Sequence, residues 1–85
     1  MKALPLAEHD LVDITWSDSN YSPGWNNKNR VTASIPSVVT VGYVTFSNRR
    51  ILEVSNSIGD EGARLNPLSI PWSSITRCNI INVKG

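Results

Sequence analysis

The chain is short of the residues that most enzymes depend on. Among 85 residues there is one cysteine, one histidine, one methionine and one phenylalanine. A single Cys78 excludes an internal disulfide and fits a reducing compartment. One His and one Cys cannot supply the several ligands at defined spacing that a zinc site needs. No apolar run approaches the roughly 18 residues of a membrane span. The apolar start of the chain ends at Glu8, too soon for a signal peptide. The expectation is one cytoplasmic domain over 1–85, with no membrane partner and no cofactor. At 40% apolar content it has material for one modest core.

Acid is missing from the middle of the chain. Residues 1–20 set Lys2 against Glu8, Asp10, Asp13 and Asp18, whereas residues 21–50 carry Lys28, Arg30, Arg49 and Arg50 with no carboxylate. The net charge is only +1, so this asymmetry is local. It points either to an anionic partner or to loops that carry solvating charge.

What is present reads as β-structure. Val12, Ile14 and Trp16 alternate with Asp13, Thr15 and Ser17, the period of a half-buried strand. Residues 18–29 are rich in Ser, Asn, Pro and Gly and hold Tyr21 and Trp25, a loop long enough to be functional. Val38 to Phe46 is a β-branched run interrupted by Gly42, expected to be a central, bent strand. Residues 47–50 form a hairpin turn, and Ile51 to Ser57 returns with Leu52 and Val54 on one face. Ile58 to Pro67 reads as a second flexible loop. Leu68 to Ile70 is a strand halted at Pro71, Trp72 to Ile75 suit a single 3₁₀ turn, and Thr76 to Val83 is the last strand. Residues 1–10 form an N-terminal extension and 11–84 the folded unit. The expected fold is all-β: a small five-stranded antiparallel barrel of Sm-like or Src-homology-3-like type. Its open edges, the two C-terminal strands, favour closure by self-association into a homo-oligomeric ring.

The landmarks Trp16-x-Asp18-Ser19, Gly24-Trp25, Val41-Gly42-Tyr43, Leu52-Glu53-Val54 and Ile70-Pro71 follow one another in fixed order. This order resembles a family of small, mostly uncharacterised bacteriophage proteins. The resemblance covers roughly residues 12 to 76. It implies a phage setting, hence a host-cell cytoplasm, and implies no catalytic residues.

Candidate chemistry is that of binding. His9 sits alone near the N-terminus, and Cys78 has no base near it in sequence. Asp60-Glu61 lies between glycines in a solvated loop, and there is no phosphate loop or nucleophile elbow. No enzyme is expected. Trp25 and Tyr21 either pack as a lid or offer stacking faces, and Arg30, Arg49 and Arg50 are the candidate phosphate partners. Asp18, Ser19 and Trp72 stand behind them, the first two as loop caps and the last as a plug on the closing turn. The leading expectation is a non-enzymatic phage-encoded binding protein that sequesters a nucleotide-type host defence signal, or binds single-stranded RNA. The alternative is a structural or adaptor protein, because aromatics and arginine are equally the residues of protein–protein contacts.

Overall fold

A computed structural model describes residues 1–17 and 37–81. The alternating segment at the start forms strand β1, Leu11–Ser17, and the β-branched run forms the long β2, Ser37–Ser47. Next come β3, Ile51–Ser55, a short β4, Ser57–Ile58, and β5, Arg64–Leu65. Strand β6, Leu68–Pro71, leads through a 3₁₀ turn at Trp72–Ser74 into β7, Ile75–Ile80. Strands β6, β3, β2, β1 and β7 hydrogen-bond in that order as one five-stranded antiparallel sheet.

One face of this sheet holds the core. Val12 and Ile14 from β1, Val44 from β2, Leu52 and Val54 from β3, Ile70, Trp72 and Ile75 are all buried, and Leu4, Leu6, Trp16 and Cys78 pack against them. Alternation puts these residues on one side because successive strand side chains point to opposite faces. Trp16 continues the Val12/Ile14 row as the sequence suggests. Its Nε1 donates to Thr40 Oγ1 on β2 at 3.0 Å.

The expected barrel does not close. Among the described residues no ladder joins β6 to β7, and the sheet stays open at both edges. The connection explains this. A three-residue 3₁₀ turn redirects the chain across the core instead of reversing it into a hairpin. Ile70 and Ile75 therefore reach the same core, while their strands spend their hydrogen bonds on β3 and β1. Register shifts between Thr15 and Trp16 and between Val44 and Phe46 add local bend to the sheet.

Two further expectations are corrected. The segment read as a loop from Ile58 to Pro67 is organised: β4 and β5 pair as a separate hairpin around a short 3₁₀ turn at Asp60–Gly62. Glu53 fastens it to the main sheet, its Oε1 accepting from Thr45 Oγ1 at 2.7 Å and lying 3.4 Å from Arg64 Nε. The first ten residues also are more than an extension. The His9 amide donates to the Val44 carbonyl at 2.6 Å, and the Val44 amide to the Asp10 carbonyl at 2.7 Å. These bonds run beside β2 just where its pairing with β1 ends at Tyr43.

Candidate anion-binding cleft at the hairpin tip

Of the residues singled out from the sequence, Asp18, Ser19, Tyr21, Trp25 and Arg30 lie outside the described residues. Arg49, Arg50 and Trp72 lie within them, and the fold brings these three together. The β2–β3 turn is built on Asn48. Its Oδ1 accepts from the amides of Arg50 at 2.8 Å and Ile51 at 2.9 Å, and its own amide donates to the Ile51 carbonyl at 3.0 Å. Asparagine suits this position because its short side chain mimics a backbone turn.

Trp72 secures the turn from beneath. It is only 2% exposed. Its Nε1 donates to the Asn48 carbonyl at 3.0 Å, and its amide donates to the Arg50 carbonyl at 2.9 Å. The closing turn is thereby bonded to the hairpin tip by side chain and backbone together. Trp72 is a plug with a satisfied indole, which removes it as a stacking face and makes it the support of the arginines.

Arg49 and Arg50 are exposed on this support and border an open cleft of about 450 Å³, with Ile51, Pro71 and Ser73 among its other walls. Among the described residues no carboxylate lines the cleft. The acid–base contacts among the described residues are Glu53 with Arg64 and Glu8 with His9, so neither arginine is neutralised by them. Two guanidinium groups on a bonded turn, beside an apolar floor and without an internal acid, can pair phosphate or carboxylate oxygens bidentately.

Cys78 is a poor nucleophile here. Burial pushes its thiol pKa up, and the charge of Asp13 pushes it the same way. Asp13 is itself occupied, with Oδ1 accepting from Asn79 Nδ2 at 3.3 Å. No cluster of three metal-ligating side chains occurs among the described residues, and none of their helices is long and apolar enough to cross a membrane.

A second recess escaped the sequence reading. Tyr43 is partly exposed and lines a hollow with His9, Asn56, Ser57 and Ile58. One signal was available: Tyr43 follows Val39 and Val41 by twos, opposite in phase to buried Gly42 and Val44, and so must face outward. Asn56 gave none, because its placement depends on the β3–β4 junction and on its amide donating to the Leu65 carbonyl at 3.0 Å.

Comparison of the chain with protein-family models, with curated proteins and with solved structures gave no match.

Proposed function

We propose that this chain is a non-catalytic binding protein that captures an anionic ligand of nucleotide size at the Arg49–Arg50 cleft. The observation that carries the reading is the bonded scaffold beneath two unneutralised guanidinium groups. Preorganisation matters because less side-chain and loop ordering is then left to offset on binding. The ligand is held without turnover: among the described residues the cleft walls carry no histidine, cysteine or carboxylate to activate the Ser73 hydroxyl or a water. The phage setting implied by the sequence resemblance makes a host nucleotide signal, or a short single-stranded RNA, the natural ligand class.

Self-association belongs to the same reading. The five-stranded antiparallel sheet and the 3₁₀ turn between its edge strands support reading the chain as a small-barrel type of Sm-like or Src-homology-3-like character that closes by association. Among the described residues β6 and β7 each pair on one side only, leaving an edge of backbone groups that a second copy could complete. Association would repeat the cleft once per subunit.

A specific observation favours the adaptor reading as the second. Val39 is 66% exposed and Val41 52% exposed on the outer side of central strand β2. Apolar rows in such positions commonly mark protein contacts.

Calorimetric titration with pyrophosphate, mononucleotides and cyclic dinucleotides at two salt concentrations separates these readings. Anion capture predicts saturable binding that weakens as salt rises, and a loss of at least about a hundredfold when Arg49→Ala and Arg50→Ala are combined. A parent protein that binds none of these anions would leave the adaptor reading standing.

A further inference from the structure

Away from the hairpin tip, the turn at His9, the middle of β2 and the β3–β4 junction surround a recess of about 510 Å³. It shares no lining residue with the arginine cleft. Tyr43 and Arg49 are six positions apart in the chain, four of those steps along β2, which at a strand rise of about 3.3 Å puts the two sites on the order of 15 Å apart. The volume falls within the range of small-molecule sites.

The lining has a distinctive chemistry. It offers an aromatic face from Tyr43, an apolar wall from Ile58, a carboxamide from Asn56, a hydroxyl from Ser57 and an imidazole from His9. Among the described residues it contains no lysine, arginine, aspartate or glutamate. Among the described residues neither the Asn56 carboxamide nor the Ser57 hydroxyl donates a hydrogen bond, although the Asn56 backbone is tied to Leu65. His9 is held at φ +75°, a left-handed conformation that non-glycine residues adopt at a cost, and its amide is anchored on Val44. The fold thus holds His9, whose ring nitrogen Nε2 lies 3.9 Å from Glu8 Oε2, in a strained turn beside the recess.

We propose that this recess binds an uncharged planar heterocycle of the nucleobase class. The Tyr43 ring supplies the stacking face, and the Asn56 carboxamide, with a donor and an acceptor in one plane, pairs with a ring edge that presents the complementary two. The described lining residues include no lysine or arginine to anchor a phosphate, which favours recognition through the ring edge and face. A bare sugar fits less well, because it has no planar edge to match the in-plane donor and acceptor of the carboxamide. The assignment is independent of the arginine cleft, and either site can exist without the other.

The test is an amide-resolved NMR titration of the full chain with adenosine, uridine, glucose and inorganic pyrophosphate. Saturable shifts at Tyr43 and Asn56 with one of the nucleosides, little altered between low and high salt, are expected. Asn56→Leu should weaken that binding about tenfold or more, and Tyr43→Leu likewise, whereas Arg49→Ala with Arg50→Ala should leave it unchanged. Asn56 is exposed, so its variant remains informative if Tyr43→Leu fails to fold. Absence of nucleoside shifts at these residues, equal binding of glucose, or equal weakening by the arginine variant overturns the assignment. Pyrophosphate reports on the arginine cleft alone, so the two sites succeed or fail separately.

Discussion

The indole of Trp72 donates to the carbonyl of Asn48 at 3.0 Å, bonding residues 24 positions apart in the chain. That bond links the turn between the two edge strands to the tip of the β2–β3 hairpin. Its consequence is that the arginine pair rests on the core. Removing either partner should therefore be felt both in stability and at the cleft.

Asn48→Ala removes the acceptor of two backbone amides, which should destabilise the fold by about 1–2 kcal/mol. Trp72→Phe keeps most of the packing and orphans one carbonyl, for about 1 kcal/mol. Trp72→Ala empties a buried site and should cost about 3–5 kcal/mol. Urea denaturation measures all three. An anion affinity that falls in Asn48→Ala, although Asn48 does not line the cleft, would mark it as a positioning residue.

Gly42→Val should be among the most damaging single changes, at roughly 1–3 kcal/mol. The reason is close approach and not backbone conformation, since the glycine found at positive φ among the described residues is Gly62. A Cβ at Gly42 would stand 3.0 Å from the Ser55 carbonyl oxygen and 3.2 Å from Val54 Cβ. Gly42→Ala should show a smaller loss of the same sign. Thermal melts of the pair check the order.

Stability should decline in alkali through Cys78. Its folded pKa is raised by burial and by Asp13, so the thiol ionises first in the unfolded chain. The contribution is complete below the unfolded value of about 8.5 and is lost as pH climbs from there through the folded value. Cys78→Ala should flatten that decline. Denaturation curves of parent and variant between pH 7 and 10 show whether it does.

If copies associate through the strand edges, Ile80→Lys should favour the monomer. Ile80 is exposed on edge strand β7, and a lysine there discourages edge pairing. Light scattering of parent and variant reads the result. A 9.4 kDa monomer for the parent itself would remove self-association from the functional reading.

Arg64→Ala should loosen the β4–β5 hairpin with little effect on global stability. The ion pair with Glu53 is half-exposed on the arginine side, which limits it to about 0–1 kcal/mol. Faster amide exchange confined to residues 57–65 is the expected signature.

Periodicity and composition were enough to place the five strands of the main sheet, though not the β4–β5 hairpin. Val12 and Ile14, and Leu52 and Val54, declare their inward face by alternation alone. Pro71 followed by Trp72-Ser73-Ser74 announces the interrupted final pair. Charge distribution likewise singled out Arg49 and Arg50. What the chain could not declare locally depends on long-range contacts. The open sheet follows from where the Trp72 turn sends β7, and the support of the arginine pair from an indole meeting a carbonyl on another hairpin. The recess at Tyr43 exists because the turn at His9 and the β4 strand converge on β2. Local sequence determines which way a side chain points, whereas tertiary structure decides what stands opposite it.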